Sequence, residues 1–387
     1  MDGKVKFIAG ALVLLAAVGS GVALIQTHSN ENPVGQGGRD ERVEWTDMAG
    51  RTIRLPSNIE RVVPLGGAMR FMVYLDSLEL VAGIENVERK WRSPGRLYGL
   101  AVTEKTLGMT VIGEGGPGRL PDFEKLLAVR PDVIVAMGID AAQVAIIQEK
   151  TGIPVFTLSY GRPGTLDLDT TREAVKRLGC LLGRTKRADE LRASIDELTA
   201  DLAERTSGIP AAQRVAAYAG AISFKGTQGI TSTNSDYAPL TWAGGRNVAA
   251  DLPHAGHCFI DREKIVDWDP ETIFVDAGGL APLAEDCREN PGFYAELTAV
   301  QKGRVYLVLP YNYYHTNVEI ALADAFLMGK VLYPDRFEDV DPASKADEIF
   351  TAFIGRPAYA ELAGEYHGFQ QLLIDADGNV KAGAEAR

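Results

Sequence analysis

The sequence has few of the residues that build disulfide frameworks and metal clusters. Only 3 cysteines and 5 histidines occur in 387 residues, and the spacing of Cys180, Cys258 and Cys287 fits no zinc motif. A disulfide-dense scaffold and a structural zinc site are therefore excluded. In an oxidising compartment Cys258 and Cys287 can form a disulfide, since both lie in the second half of the chain. Isolated buried thiols are the alternative interpretation.

Positive charge is also scarce, with 40 Lys and Arg against 52 Asp and Glu and a formal net charge of −12. Because binding to nucleic acid requires a basic surface, that class of partner is excluded. Residues 113–118 are rich in glycine but lack the Lys-Ser or Lys-Thr of a phosphate-binding loop. No nucleophile–base pair stands out elsewhere. We therefore expect no resident cofactor and keep catalysis as a minor alternative.

A single long apolar run lies at the N-terminus. Lys4 and Lys6 precede residues 7–25, which contain no charged residue, and this order predicts an export signal. The run also approaches the length of a membrane anchor, and no cysteine follows it, which excludes the lipoprotein route. Residues 26–42 are polar and predict a flexible linker. The predicted location is the periplasm or the outer face of the cytoplasmic membrane.

Short apolar strands alternate with helices along the rest of the chain, which indicates parallel sheets covered on both faces. Residues 43–56 predict a hairpin and residues 166–182 one amphipathic helix. The strands predicted after the hairpin are residues 61–65, 81–84, 131–137, 154–158, 214–218, 273–276 and 305–308. Residues 343–373 predict helix with a break near Gly355, and residues beyond 375 predict disorder.

Two segments have the same construction. Glu124 precedes Pro131 by seven residues, and Glu263 precedes Pro270 by seven residues. In both, a short helix ends before the proline, and an apolar strand then runs to a glycine. This repeat predicts two related α/β lobes. The predicted division is an N-terminal segment at 1–25, a linker at 26–42, lobes at 43–165 and 184–342 joined by a helix at 166–183, and a C-terminal helical segment and tail at 343–387.

Several of these motifs, in this order, resemble the periplasmic binding proteins that serve importers of siderophores, haem and cobalamin. The resemblance rests on residues 45–51, 61–63, 124–134, 226–232 and 260–264. It implies the class III arrangement, with two Rossmann-like lobes, parallel sheets and one long joining helix. It also implies that Glu124 and Glu263 dock on an ABC permease dimer that works with its ATPase.

In such a fold the ligand sits where loops at the strand ends converge between the lobes. Aromatic side chains suit a large chelate, and two cations, Arg70 and Lys225, complement an anionic one. Candidates in the first lobe are Gly66, Gly67, Met69, Arg70, Trp91 and Tyr160. Candidates in the second lobe are Phe224, Lys225, Tyr237, Tyr311, Asn312, Tyr313, Tyr314 and His315. His254 and His257 form a weak metal-site candidate, because no third ligand has a predictable spacing.

The function expected from this combination is an extracytoplasmic receptor that captures an iron chelate and delivers it to an ABC permease. The chelate is of the siderophore, haem or cobalamin class. Three alternatives remain open from sequence: a receptor for a bare transition metal or an oxyanion, a receptor that feeds a sensor, and a chelatase-like or metallocluster enzyme of the same fold.

Overall fold

The computed structural model describes residues 41–161 and 166–385. The predicted export segment at 1–25 and nearly all of the predicted linker lie outside these residues. Within the described ranges, no helix is both long enough and apolar enough to cross a membrane.

The first lobe is a small parallel sheet preceded by an antiparallel hairpin, as predicted. The hairpin strands are β1 (Arg42–Thr46) and β2 (Thr52–Pro56). The sheet has the order β3-β4-β5, with strands β3 (Val62–Gly66), β4 (Val133–Met137) and β5 (Val155–Leu158). Its helices are α1 (Ala68–Tyr74), α2 (Val87–Lys90), α3 (Glu104–Leu107), α4 (Phe123–Ala128) and α5 (Ala141–Thr151), with 3₁₀ turns at Leu78–Leu80 and Leu97–Leu100.

The strand predicted at residues 81–84 is not formed. Val81 and Ile84 each make a single isolated bridge, to Val62 and Val111. A 3₁₀ turn ends at Leu80 and α2 begins at Val87, so the extended stretch between them is too short to build a ladder. Val81 and Ile84 are buried, and this apolar character is why the sequence predicted a strand there.

One helix connects the lobes, as the amphipathic pattern predicted. α6 (Leu168–Leu181) begins at Asp167, whose side chain accepts a hydrogen bond from the Thr170 amide, a common N-cap arrangement. It buries Ala174, Val175 and Leu178. α7 (Thr185–Thr206) follows after a short turn and packs back against α6.

The second lobe contains a larger mixed sheet with the order β13-β12-β11-β10-β6-β7-β9, and β8 pairs beside β6. Its central strands β6, β10 and β11 are parallel, like the three strands of the first lobe. The strands are β6 (Ala216–Gly220), β7 (Ser232–Asn234), β8 (Arg246–Asn247), β9 (His257–Phe259), β10 (Thr272–Asp276), β11 (Val305–Val308), β12 (Gln370–Ile374) and β13 (Val380–Glu385). The helices are α8 (Ala238–Trp242), α9 (Arg262–Trp268), α10 (Leu280–Glu289), α11 (Pro291–Glu296), α12 (Thr298–Gln301), α13 (Val318–Leu332), α14 (Pro342–Ile354) and α15 (Tyr359–Tyr366), with 3₁₀ turns at Ala211–Gln213, Ala277–Gly279 and Pro334–Phe337.

The repeat seen in the sequence is present in three dimensions. α4 begins after Asp122 and α9 after Asp261. The residues before the two prolines, Arg130 and Asp269, both have a left-handed backbone, with φ of 44° and 35°. Both helices therefore end abruptly and lead directly into a buried parallel strand.

The lobes have separate sheets but one shared core. A continuous cluster of buried side chains extends from the first lobe through α6, α7, α13 and α14 into the second lobe. Tyr74 of α1 meets Phe353 of α14 edge-on, with ring centroids 5.1 Å apart. A smaller cluster packs the other face of the first sheet. Because well-packed interiors do not deform continuously, the shared core limits how far the lobes can separate.

One prediction about the second half was wrong. Residues 370–385 form a hairpin that extends the second sheet, because β12 pairs antiparallel with β11 and β13 with β12. The sequence predicted helix and disorder there, but Leu372 lies opposite Val305 and is buried. Of the two interpretations left open for Cys258 and Cys287, the structure has the free thiols. Cys287 is buried in α10, and Cys258 is half-buried in β9.

The C-terminal hairpin gives a direct stability test. Leu372→Ala removes a side chain that is 3% exposed, so we expect a loss of about 2–5 kcal/mol in the free energy of unfolding. Leu373→Ala changes the next residue, which is 44% exposed, and should alter it by less than about 0.5 kcal/mol. Urea unfolding measures both, and equal effects would contradict the buried pairing of β12.

Candidate functional site

The crevice between the lobes is lined by loops that follow the parallel strands. Gly66 ends β3, Gly138 follows β4, and Tyr160 follows β5 in the first lobe. The loop at residues 309–317 follows β11 in the second lobe, and its His315 contacts Gly67, Gly138 and Tyr160. Strand ends of this kind converge in α/β folds and are the usual place for a ligand.

His315 fills the centre of this crevice. Tyr160 Oη and His315 Nδ1 are 2.7 Å apart, and the two rings meet edge-on. The imidazole lies against the backbone of Gly67 and Gly138, where an added Cβ would come within 3.0 Å and 2.4 Å of the ring. Only glycine therefore allows this approach at Gly138, whose φ of 73° also disfavours other residues.

Burial, together with the smaller effect of the positive charges of Arg70 and Arg96, lowers the pKa of His315 to about 4. The imidazole is consequently neutral at physiological pH. A neutral ring can accept a hydrogen bond from the Tyr160 hydroxyl, which links the two lobes without placing another positive charge in the crevice.

Arg70 is the second central residue, and its side chain is 1% exposed. Its Nη2 donates to the Asn317 side-chain oxygen at 2.9 Å and to the Tyr314 carbonyl at 3.2 Å. Among the residues that the structure describes, Nε and Nη1 find no acceptor. Both acceptors on Nη2 are neutral, so this buried cation lacks a carboxylate hydrogen-bond partner.

The Asn317 side chain, whose oxygen accepts from Arg70, is held in place by its own hydrogen bonds to backbone groups. Its side-chain nitrogen donates to the carbonyls of Gly95 and Tyr311, both at 3.0 Å. Asn317 also precedes the first turn of α13. The side chain therefore joins a first-lobe loop, a second-lobe loop and Arg70 at one buried point.

A further cation, Arg96, borders the same space but is already neutralised. Its guanidinium forms a buried ion pair with Glu88 and also contacts Tyr98. It lies 4.8 Å from the centroid of the Tyr314 ring, a cation–π arrangement. The Tyr314 ring in turn meets Trp91 edge-on at 5.5 Å.

Glu85 is a buried carboxyl group at the first-lobe side of the crevice. It accepts a hydrogen bond from the Gly66 amide at 2.7 Å. Burial raises its pKa to about 7, and the negative charge of Glu88 acts in the same direction. Glu85 therefore exchanges a proton near neutral pH.

The structure brings together only part of the set predicted from sequence. Gly66, Gly67, Arg70, Trp91, Tyr160 and residues 313–315 surround the crevice, while Asn312 closes their loop by pairing with Thr316. Met69, Tyr237 and Tyr311 are each 1% exposed and belong to the core. Their side chains therefore pack the interior. Tyr237 and Tyr311 meet edge-on at 5.5 Å.

Phe224 lies in a separate aromatic group. It stacks on His257 with a centroid distance of 3.9 Å, and the Lys225 ammonium lies 5.3 Å from the Phe224 centroid. His257 Nε2 is 2.8 Å from Ser232 Oγ. No group of three potential metal-ligating His, Cys, Asp or Glu side chains occurs in the described ranges. The His254–His257 metal-site interpretation therefore gains no third ligand.

Sequence reasoning missed four crevice residues, namely Glu85, Glu88, Arg96 and Asn317. Glu85 and Asn317 have partners distant in sequence, Gly66 and Arg70, whereas Glu88 and Arg96 pair with each other eight residues apart. The Pro94-Gly95-Arg96 sequence was the one feature that could have drawn attention to this loop. Gly95 lets the Tyr313 ring approach the backbone closely. Glu124 and Glu263, in contrast, are both exposed on the surface, each as the second residue of its helix.

The pattern of two lobes with a crevice at their strand ends agrees with the family comparison. The periplasmic binding protein family matches residues 78–311. The chain belongs to this family. It is thus a periplasmic binding protein of the kind that serves ABC transporters, which confirms the resemblance and the fold class predicted from sequence.

Relatives with known ligands share the fold of this binding protein. The molybdate-binding protein MolA of Haemophilus influenzae is 25% identical over 333 residues, which cover 80% of this chain and 90% of MolA. The structure of MolA bound to molybdate has a TM-score of 0.64 at 21% identity and covers 81% of this chain and 98% of that one. Helicobacter pylori Ceue with Ni(II) bound has a TM-score of 0.58 at 18% identity, covering 84% and 99%.

The crevice should make the stability of this binding protein depend on pH. The pKa of His315 is about 4 in the folded protein and 6.5 ordinarily. The contribution of the neutral ring to the free energy of unfolding is therefore complete above about pH 6.5 and is lost as the pH falls from about 6.5 to 4. In wild type the free energy of unfolding should change by at most about 1.4 kcal/mol per pH unit in that window because of His315, and His315→Gln should remove this dependence. Urea unfolding at several pH values across the window measures the free energy of unfolding. His254→Gln is the control, and equal slopes in wild type and His315→Gln would contradict the assignment.

Proposed function

We propose that this periplasmic binding protein captures a metal-containing anion in the interlobe crevice and delivers it to an ABC permease. Recognition requires binding alone, without catalysis. The N-terminal residues 7–25 would export the protein or hold it at the membrane. The observation that carries the proposal is the buried Arg70 guanidinium, whose Nε and Nη1 have no acceptor in the described part of the chain.

The charge balance around Arg70 favours an anion. Arg96 already has Glu88 as its ion-pair partner. Burial raises the pKa of Glu85 to about 7 and also raises the pKa of Glu319, so both carboxyl groups have a reduced tendency to be charged. Arg70 therefore has no carboxylate hydrogen-bonded to it, and a buried charge of this kind is costly unless it is paired. An anionic ligand would provide that pair.

The burial of Arg70 favours a compact anion over a bulky chelate. Its side chain is 1% exposed and its Nη2 is bonded to Asn317 and to the Tyr314 carbonyl, so a small group would reach Nε and Nη1 with less rearrangement than a large one. An oxyanion of the molybdate type satisfies this requirement, since guanidinium groups bind such oxygens in a forked geometry. The similarity to a molybdate-binding protein supports the same class.

An anionic ferric chelate, the ligand class expected from sequence, is the second candidate. Trp91 is 49% exposed at the rim of the crevice and contacts Tyr314. Exposed aromatic rings suit the flat surfaces of a chelator. Such a ligand would lie across the rim and would contact Trp91 more than Arg70.

A binding panel separates the two classes. Isothermal titration with molybdate, tungstate, sulfate, a ferric siderophore, haem and cobalamin should show tightest binding to a metal oxyanion. Arg70→Gln should weaken that binding by about tenfold to a hundredfold, because it removes charge-assisted hydrogen bonds. Trp91→Ala should leave it nearly unchanged. Tight binding to a chelate that depends on Trp91 and not on Arg70 would contradict the oxyanion assignment.

We also propose that Glu124 and Glu263 contact the permease, one from each lobe. Both carboxylates are exposed, and both follow an N-terminal aspartate on helices that occupy equivalent places in the two lobes. Charge pairs of this kind set register and association rate. Two equivalent contacts on related lobes match a permease built of two related halves.

Transport assays test this contact. The double variant Glu124→Gln, Glu263→Gln should lose most uptake of the ligand into cells or vesicles while its ligand affinity stays at the wild-type level. Glu149→Gln, Glu289→Gln makes the same chemical change on exposed glutamates near the C-terminal ends of α5 and α10 and should transport normally. Normal uptake by the first variant would exclude the docking role.

A further inference from the structure

We infer that Leu120 and Phe259 are apolar anchors that insert into the permease beside Glu124 and Glu263. This inference rests on the proposed docking role of the two glutamates and adds apolar contacts to the charged ones. The two residues lie four positions before the two glutamates in the same register. The repeated elements are Leu120, Asp122, Glu124 and Lys125 in the first lobe and Phe259, Asp261, Glu263 and Lys264 in the second.

Both residues are exposed, although apolar side chains of this size are usually buried. In the described ranges, six large apolar side chains are exposed. Leu120 is 39% exposed and Phe259 is 59% exposed, the highest value in that group. Two of the six therefore fall at the same position of a repeated element, which scattered surface residues would not be expected to do.

The topology places both anchors at the crevice edge of their sheets. α4 leads into β4, which is parallel to β3, and α9 leads into β10, which is parallel to β6. A helix that crosses back between parallel strands starts at the edge where the first strand ends. Leu120 and Phe259, which precede these helices, thus lie on the same side as the ligand crevice.

The surroundings of each anchor fit insertion into a partner. Leu120 borders a shallow depression lined partly by Arg119, Pro121 and Lys125. Phe259 meets His257 edge-on at 4.9 Å on the edge strand β9. An apolar side chain with a polar and charged surround has the composition of an interface hot spot.

The partner that fits is a membrane permease dimer with two equivalent sites, each an apolar depression next to a cationic side chain. The cation would pair with Glu124 or Glu263, and the depression would receive Leu120 or Phe259. Because leucine and phenylalanine differ in size, each depression must accept either side chain or the complex must favour one orientation. The two-lobed repeat fits a partner of two-fold character.

The test measures binding of fluorescently labelled full-length receptor to right-side-out membrane vesicles from the native host, with vesicles from a permease-deleted strain as background. Leu120→Ser and Phe259→Ser should each weaken binding about tenfold, the effect expected for loss of one buried apolar anchor. The matched controls Leu373→Ser and Ile146→Ser alter residues that are 44% and 37% exposed outside the repeat. They should bind as wild type does.

Salt separates the two kinds of contact. Raising the ionic strength should reduce the deficit of Glu124→Gln, Glu263→Gln, because exposed charges are screened, and should leave the deficit of the serine variants unchanged. Wild-type affinity for Leu120→Ser and Phe259→Ser, with weakened binding of the glutamine variant, would overturn the anchors and leave the docking role standing. Absence of permease-dependent binding by the wild type would overturn both.

Discussion

The buried guanidinium of Arg70 constrains both lobes at once. It belongs to α1 of the first lobe, yet its hydrogen-bond acceptors, Asn317 and the Tyr314 carbonyl, belong to the second. A buried cation whose hydrogen-bond acceptors are neutral is costly, and the cost falls when an anion arrives. The same residue therefore contributes to lobe cohesion and to ligand recognition, which links the two properties physically.

The shared core indicates which part of the molecule moves when ligand enters. Buried side chains connect the lobes through α6, α7, α13 and α14, so a wide opening would break many contacts. The loop at residues 309–317 is better placed to move. Tyr314 and His315 both have positive φ values, 48° and 66°, and each costs on the order of 1 kcal/mol as a left-handed residue. We infer that ligand entry displaces this loop more than it separates the lobes.

The fold was largely predictable because its main signals are local. Continuous apolar strands, the helix at 166–182 and the Glu–Pro repeat all arise from residues close in sequence. The C-terminal hairpin was missed because its stability comes from pairing with β11, more than sixty residues earlier, and not from a strong local strand pattern. Residues 81–84 were wrongly predicted to form a strand, because a short buried apolar segment has the same sequence pattern as a buried strand.

The site was predictable only in outline. The expectation that loops after strands line the crevice led to Arg70, Tyr160 and His315, which lie close together in the structure, and their role in binding stays a prediction. Sequence could not distinguish aromatic residues that face the crevice from those that pack inward, so Tyr237 and Tyr311 were included. It also could not reveal that Glu88 of α2 pairs with Arg96, while Arg70 has no carboxylate hydrogen-bonded to it.

A crystal structure of the receptor with its tightest-binding anion tests the central claim most directly. Anomalous scattering from the metal would locate the ligand independently of the protein map. We predict an anion oxygen within about 3 Å of Arg70 Nε or Nη1, with His315 displaced from Gly138. A fully occupied ligand that makes no contact with Arg70, with His315 still in place, would contradict it.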